Sequence, residues 1–388
     1  MGIDESIFEQ SENVQAIRVP KAKVGMFLKH PNFSEFIWTR RGQKSVHPDP
    51  VDQQNYRVVL LNDALPADLA QLEDTQMMKF AIKTSYTDFS TEEVLRVILK
   101  DFPDPPSSFE TIGHIAHMNL RDEFLPHKEL IGQVILDKNP HIRTVVTKVG
   151  TLSNEYRTFD MEIIACRDND RSLIATVSER KLRFLVDYQK SYWNSRLATE
   201  RERLLKAFLS TDVTNSRLID MCCGVGALTC FAAKEGLEVF ANDLNPSAIA
   251  CARQNVAQNK IEAEVFNMDA REFVRKLVKD GKLTEPRINH VMINLPEIGI
   301  RFLDVFEGLF EDDSALNGNE FRIYCHSFSR ENPPEDLRAR IPLPLPPDYP
   351  IEAVHVRDVA PSKIMYSVEF TVPRGILIRR AKKPRLVE

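Results

Sequence analysis

The sequence predicts an α/β protein. Its carboxyl-terminal half is built on a parallel sheet, and a strand-rich α+β domain and a small amino-terminal domain precede it. Three observations carry this. From about residue 195, apolar strand segments alternate with amphipathic helical ones, the pattern of βαβ units. Between about 111 and 189 the segments are short and β-branched. Between these regions and the start of the chain lies "DFPDPPSSFE", a run rich in Pro and Ser that marks a boundary. A chain of 388 residues has room for two or three domains. We divide it at 1–95, 96–190 and 191–388.

Taken in order, "YRVVLLN" reads as a strand, and "STEEVLRVILK" as an amphipathic helix opened by a Ser cap. The strands expected next are "GQVILD", "TVVTKV", "DMEIIAC", "LIATVSE" and "KLRFLVDY", with a helix opening "LPHKELIGQVILDK". Then helix "ATERERLLKAFLS" leads into strand "RLIDM", a glycine turn and helix "ALTCFAAKEG". Strand "EVFAND", helix "PSAIACARQNVAQN", strand "AEVFNMD", helix "AREFVRKLVKDG" and strand "HVMIN" follow. The stretch from "EDDSALNGNE" to "PPDYP" reads as loop, with "RIYCHSF" and "YSVEFTVP" as late strands.

Composition excludes several classes. Hydrophobic content of 43% and charged content of 28% are ordinary for a soluble globular protein. No apolar run approaches the ~18 residues of a membrane span. The acidic start, "MGIDESIFEQ", is neither a secretory signal nor a transit peptide. Gly2 with Ser6 fits the loose myristoylation pattern, although Asp4 and Glu5 are poor neighbours for it. Six cysteines lack disulfide or zinc spacing, so we expect reduced thiols in an intracellular protein and no metal. We place the chain in the cytoplasm, with a nuclear or mitochondrial fraction, as a monomer.

A net charge of −5 gives no global case for nucleic acid. Local charge does. Arg18 to Lys44 carries seven basic residues against one acid, Val177 to Lys206 eight against four, and the tail from Thr371 six against one. Each patch read alone is a solvated face; three in one acidic chain suggest a polyanionic partner.

In a parallel sheet, ligands bind at the carboxyl ends of the strands. The first strand of the βαβ series ends in "DMCCGVGALT", with Asp220, Gly224 and Gly226. The second ends in "NDLNP", with Asp243, Leu244 and Asn245; the third in "NMDAR", with Asp269 and Ala270; the fourth in "NLP", with Asn294 and Pro296. The glycines allow close backbone approach to a ligand at a helix start. Asp243 is placed to accept from ribose hydroxyls, and Asp269 with Ala270 to flank an adenine. G-x-G alone is weak, and Thr229 stands where a dinucleotide fold carries its third glycine. Each acid could equally be a helix cap. Three in strand order look like a class I, Rossmann-like, S-adenosyl-L-methionine-dependent methyltransferase.

The stretches "IGHIAHMNLRDEFLPHKELIGQVILDKNPHIRTVV", "NEYRTFDMEII", "YWNSRLATERERL", "DMCCGVG", "ANDLNP", "NMDAREF", "INLP" and "VHVRDVAPSKIM" go further. Together they resemble the archaeal and eukaryotic tRNA (guanine-37) ring-nitrogen-1 methyltransferases, over about Thr111 to Pro373. The resemblance implies methyl transfer from S-adenosyl-L-methionine to the guanosine 3′ of the anticodon, by a catalytic domain with an RNA-binding domain before it. Cys222-Cys223 replaces the family's usual Phe-Ala, and Ala227-Leu228 its usual Pro-Phe. These keep both glycines and imply altered packing near the methionine moiety. Glu297 replaces a small residue and puts a negative charge at the rim of an RNA pocket.

Ring nitrogen 1 of guanine must lose a proton as the methyl arrives, which calls for a general base and for donors to oxygen 6. The resemblance places the base at Glu200 and the donor at Arg157, whose guanidinium suits a developing oxyanion. It places Arg201 against the cofactor. Tyr192 is near enough in sequence to position the base, or to form a core pair with Trp193. Locally, Thr199 and Glu202 read as a T-x-x-E capping box, which leaves Glu200 free to turn into the site. Asn294 stands where amino-group methyltransferases carry an Asn/Asp-Pro-Pro-aromatic motif. Its amide can accept from the target N–H and donate to its oxygen, while Pro296 fixes the loop and leaves strand carbonyls facing the substrate. The alternative is an Asn helix cap with Pro two residues into the helix. Three rival functions stand beside the methyltransferase: the sister wybutosine-pathway aminocarboxypropyl transferase, a silent RNA-binding scaffold, and a small-molecule N-methyltransferase.

Overall fold

The computed structural model describes residues 3–39, 43–63, 65, 74–149, 160–330, 333–360 and 363–379. The chain forms two compact units, one of residues 1–110, 118–147 and 163–170, the other of 111–117, 148–162 and 171–388.

The first unit holds a four-stranded antiparallel sheet. Its strand Gln10–Pro20 pairs with Tyr56–Leu60 on one side and Gln76–Thr84 on the other, and Val46–Pro48 extends the edge. Of these strands the sequence reading expects only Tyr56–Leu60. Gln10–Pro20 opens with four exposed residues, which hides its apolar half. Alternation then serves both faces: Ile17, Val19 and Val59 pack with Phe27 and Phe33, while Val14, Ala16, Val58 and Leu60 form the other cluster. The helix Thr91–Ile98 starts at the expected Ser90 cap, with the Glu93 amide on Ser90 Oγ at 3.3 Å and the Ser90 amide on Glu93 Oε2 at 2.7 Å.

One expected strand is wrong. "GQVILD" lies inside a helix, Lys128–Lys138. A short apolar run does not separate a strand from a buried helix. Here Ile131, Val134 and Ile135 fall on one helical face, all fully buried. Gly132 faces Ala165 so closely that a Cβ there would meet its Cβ at 2.8 Å, so the helix needs glycine at this crossing.

The second unit is the α/β domain. Its strands are β1 (Ser216–Asp220), β2 (Glu238–Asn242), β3 (Glu264–Phe266), β4 (Ile288–Ile293), β5 (Glu320–Ser329), β6 (Glu352–Ala360) and β7 (Lys363–Thr371). They lie in the order 3-2-1-4-5-7-6, with β7 antiparallel to both neighbours and β1 to β5 parallel. The helices are α1 (Ala198–Leu209), α2 (Ala227–Lys234), α3 (Pro246–Gln258) and α4 (Ala270–Lys279). β1 to β4 and α1 to α4 match the expected alternation, and β5 and β7 the two late strands. The stretch read as loop holds more: a helix at Pro333–Arg340, a turn of helix at Asp313–Leu316, and the start of β5. Strand β6 was also unexpected; it is a polar edge strand with no fully buried residue.

Strand order reverses between β1 and β4, which makes the gap beyond their carboxyl ends the place for a ligand. The central strands supply the core, with Ile219, Phe240, Val291, Ile293 and Ile323 packed against Phe273, Leu277 and Phe306. No helix among the described residues is long and apolar enough to cross a membrane, and all six cysteines are free thiols.

His290, in the middle of β4, is fully buried between Thr211 Oγ1 at 3.0 Å and Tyr324 Oη at 3.3 Å. Burial, helped by the positive charge of Arg322, pushes its pKa down from 6.5 to about 4. The folded protein therefore holds a neutral ring where the unfolded chain takes up a proton. The resulting stability is present above about pH 6.5 and is lost as pH falls toward 4; it corresponds to roughly 3 kcal/mol at most. His290→Gln should flatten the fall in unfolding free energy across this window. Denaturant titrations between pH 4 and 7 in parallel with wild type would refute this.

Candidate active site

The Gly-rich turn after β1 is set by backbone geometry. Gly224 and Gly226 both have positive φ, +56° and +80°, where an L side chain is strained. A Cβ on Gly226 would press on Ala252 of α3 at 3.3 Å, so this glycine also lets the helix approach. A Cβ on Gly224 would meet only the Tyr192 carbonyl, at 4.0 Å, which leaves the space above that turn open. Asp220 lies beneath the turn. It is buried, accepts from Thr229 Oγ1 at 3.0 Å, and is pushed by burial up to about 7. The Thr at the third "glycine" position thus supports the first acid. Cys222 packs against the core and Cys223 approaches the Gly224 carbonyl. Burial pushes both thiols well up, so both stay neutral.

Asp243, just past β2, closes the turn from the other side. Its Oδ2 accepts from the Gly224 amide and its Oδ1 from the Asn245 amide, each at 2.9 Å. Burial pushes its carboxyl up, and those amides with that of Leu244 oppose the rise. Leu244 is exposed. Asn245 caps α3, accepting from Ser247 at 3.0 Å, and its amide nitrogen donates to the Lys190 carbonyl at 2.6 Å. Asp269 caps α4: its Oδ1 takes both the Arg271 and Glu272 amides, at 2.9 and 3.2 Å, and leaves Oδ2 for another donor. Ala270 beside it is buried. A cap role does not exclude a ligand role, since an acid with spare lone pairs can serve both. An open glycine turn with two such carboxylates fits an adenosyl group.

The second half of the site centres on a residue the sequence reading missed. His326, on β5, is 2% exposed. Its Nδ1 lies 2.8 Å from Asn294 Oδ1 and its Nε2 3.0 Å from Glu200 Oε1. Glu200, 6% exposed, is also gripped by Arg203, Nε to Oε2 at 2.8 Å and Nη2 to Oε1 at 2.9 Å, and Arg203 reaches on to Glu369 Oε1 at 2.5 Å. Burial by itself would raise the Glu200 carboxyl; the bonds from Arg203 and His326 outweigh it and hold it below its usual value. The signal available in the sequence was position: "RIYCHSF" is the strand next to "HVMIN", and one residue past the Ile293–Cys325 pairing comes His326.

The local route to Glu200 differs from the expected one. A short 3-10 turn, Ser195–Leu197, capped by Asn194, feeds directly into α1. Thr199 is therefore already inside the helix, no T-x-x-E box forms, and Glu202 pairs with Lys206 at 2.8 Å. Nor is Asn294 a helix cap, since the next helical turn begins at Gly299. The strand carbonyls do not face open space either. Met292 O accepts from Met221, Leu295 O from Gly299 at 2.7 Å and Pro296 O from Phe328 at 3.1 Å, because the loop folds back on β5. Among the described residues Asn294 Nδ2 has no partner, which leaves the amide a donor to offer. The charge on Glu297 is met by Lys363 Nζ at 3.3 Å.

Arg201 lies against Glu179, Nε to Oε1 at 2.9 Å and Nη2 to Oε2 at 2.5 Å, with its guanidinium over Trp193. Tyr192 is half exposed and accepts from Asn194 Nδ2 at 3.0 Å; the ring that pairs with Trp193 is Phe184. Arg157 lies outside the described residues. A cavity of about 540 Å³, lined by Arg275, Asp304 and Arg379 among others, shares none of the residues above.

Comparison with known proteins defines the class. Residues 175–321 match the TRM5/TYW2 methyltransferase domain, and residues 92–169 the TYW2 N-terminal domain. The fold agrees with Pyrococcus abyssi Trm5b, at a TM-score of 0.63 and 21% identity over 92% of this chain and 98% of that one. It also agrees with aTrm5 in its complex with tRNALeu, at 0.68 and 17% over 92% and 99%. This is the Rossmann-like class I methyltransferase fold. At the level of sequence, the chain is 36% identical to a tRNA (guanine(37)-N(1))-methyltransferase of Schizosaccharomyces pombe over 97% of this chain and 95% of that one. It is 34% identical to that of Xenopus tropicalis over 100% and 83%, and to that of Homo sapiens over 97% and 77%. The chain belongs to the tRNA (guanine(37)-N(1))-methyltransferase family.

If Asp243 both closes the glycine turn and accepts from a ribose, its loss removes bonds worth roughly 1.5–3 kcal/mol to a charged acceptor. Asp243→Ala should weaken S-adenosyl-L-methionine binding more than about tenfold. Calorimetry on the folded variant showing wild-type affinity would remove Asp243 from the site.

Proposed function

We propose that this chain transfers a methyl group from S-adenosyl-L-methionine to ring nitrogen 1 of the guanosine at position 37 of tRNA. The observation that carries it is full-length likeness to enzymes of that name, at 34–36% identity. Bound at the carboxyl ends of β1 to β3, the cofactor supplies an electrophilic methyl group on its sulfonium.

The chain's own residues do the rest. Glu200 is ionised at neutral pH, and Arg203 and His326 occupy three of its roughly four lone-pair positions. The fourth accepts the N1 proton of guanine. As the N1–H bond breaks, its electron pair takes the methyl, the pair of the methyl–sulfur bond would stay with sulfur, and the proton ends on Glu200. Because Arg203 and His326 lower the basicity of this carboxylate, proton removal and methyl transfer go together rather than through a free guanine anion. Asn294 Nδ2 donates toward oxygen 6, where negative charge grows, and Arg157 is assigned the same task by resemblance. Pro296 holds the loop that carries Asn294. Tyr192, half exposed just before α1, is assigned to position Glu200, and Arg201, held by Glu179, is assigned by resemblance to the cofactor.

Partner and place belong to the same proposal. Exposed Lys21 and Lys29 leave basic charge for tRNA phosphates in the amino-terminal run, whereas Arg18 is spent on Asp49 and Lys23 on Asp74. Arg40, Arg41 and the tail beyond 379 lie outside the described residues. The division at 95 is supported by a domain match that starts at 92; the methyltransferase match starts at 175, before the proposed boundary at 190. The enzyme acts as a monomer in the cytoplasm, with a nuclear or mitochondrial fraction; its free thiols support a reducing compartment.

The test is incubation with methyl-labelled cofactor and unmodified tRNA, then nucleoside analysis. Label in 1-methylguanosine, absent when position 37 is not G, is expected; an unlabelled nucleoside carrying an aminocarboxypropyl group, with the methyl label left on the methylthioadenosine by-product, would put the chain with the sister enzymes. Glu200→Gln should lower the single-turnover rate by about 10²–10⁴-fold, with tRNA and cofactor still bound. It should regain activity as pH rises and solvent deprotonates more guanine. An alkaline profile parallel to wild type would place the base elsewhere.

A further inference from the structure

We propose that His326 is a positioning residue of the reaction, tying the Glu200 carboxylate to the Asn294 amide so that base and substrate clamp move as one. The inference rests on the reading of Glu200 as base. It starts from a hydrogen-bond count. Nδ1 and Nε2 each face an oxygen, Asn294 Oδ1 at 2.8 Å and Glu200 Oε1 at 3.0 Å. A carboxylate only accepts, so Nε2 must carry hydrogen. With the Asn294 oxygen toward the ring, Nδ1 must carry one as well. With the amide turned over, Nδ2 would donate to a bare Nδ1, and the donor for oxygen 6 would be lost. The ring thus reads which way the amide points and reports it to the carboxylate.

Three elements meet here. Glu200 comes from α1, Asn294 from the end of β4 and His326 from β5. The charges facing Glu200 are Arg203 from its own helix and His326 from β5, with Glu369 of β7 reached through Arg203. With both ring nitrogens protonated, two carboxylates balance two cations, which suits a buried cluster. Arg203 alone could hold the carboxylate, but it does not touch Asn294. His326 does both, and it is fixed by lying in a central strand, with β4 on one side and β7 on the other. When Glu200 takes the guanine proton on its remaining position, it loses its charge, and its three charge-assisted bonds weaken together. The one to His326 is the bond through which Asn294 feels the change.

The experiment uses the full-length enzyme. His326→Phe keeps ring volume and loses both bonds; His326→Gln keeps a donor toward Glu200. His326→Phe should slow single-turnover methylation by about 10²-fold, the scale of a misplaced group, with unchanged cofactor affinity. The acid limb of its rate profile should move to higher pH, because Glu200 has lost a donor that holds its pKa down. His326→Gln should recover most of the rate and return the limb. In a Glu200→Gln background the Phe change should cost less than about twofold more, since residues acting as a unit are not additive. A full additional loss in that background, or an unmoved acid limb with a slow rate, would overturn the proposal. A second readout needs no turnover: nitrogen-15 resonances of the His326 ring in the cofactor-free enzyme. Asn294→Ala should shift both ring nitrogens, and Glu200→Gln should shift Nε2. If both substitutions leave His326 unmoved, the coupling does not exist, whatever Glu200 does in catalysis. If the resonances respond and Glu200→Gln leaves the rate intact, it is the base assignment that fails.

Discussion

A carboxylate removed from water governs the proposed catalytic half of this molecule. Stripping an ion such as Glu200 of its solvent costs several kcal/mol even after the protein relaxes. The structure meets that cost with one bidentate arginine and one histidine, and with Glu369 behind the arginine. Removing one member of such a cluster typically costs 3–5 kcal/mol, because a bare charge is left inside. The arrangement therefore constrains α1, β5 and β7 together, and through His326 it constrains the loop at the end of β4.

The same constraint explains why the cofactor half and the proposed base half can cooperate. Strands β1 and β4 lie side by side in parallel, with Asp220 opposite Met292. The glycine turn and the Asn294 loop therefore leave the sheet at adjacent points. The turn is kept open by glycines with positive φ and supported from below by Asp220 and from the side by Asp243. A flexible base or a loose turn would surrender the alignment that methyl transfer between two bound molecules needs.

Much of this was legible in the sequence. The alternation after residue 195 matches every βαβ element, and the acids that end three successive strands lie around one open glycine turn, the proposed cofactor side. Two kinds of feature were not legible. Short apolar runs such as "GQVILD" satisfy helix and strand alike, and polar-fronted strands such as Gln10–Pro20 lack periodic contrast. The role of His326 was hidden for another reason. Its partners are 32 and 126 residues away; the parallel pairing of β4 with β5 brings Asn294 to it, and the placement of α1 brings Glu200. The opposite error occurred at Thr199-Glu200-Arg201-Glu202, where a local capping pattern was real as a pattern but was overruled by the Asn194-capped turn upstream.

The central claim is that Glu200 receives the proton of guanine N1. The most direct measurement is a crystal structure of the enzyme with a non-reactive cofactor analogue and an unmodified tRNA carrying G37. The account expects N1 within about 2.6–3.2 Å of a Glu200 oxygen, with His326 still bridging Glu200 and Asn294. A bound guanine whose N1 faces another side chain, with Glu200 sealed behind Arg203, would contradict it.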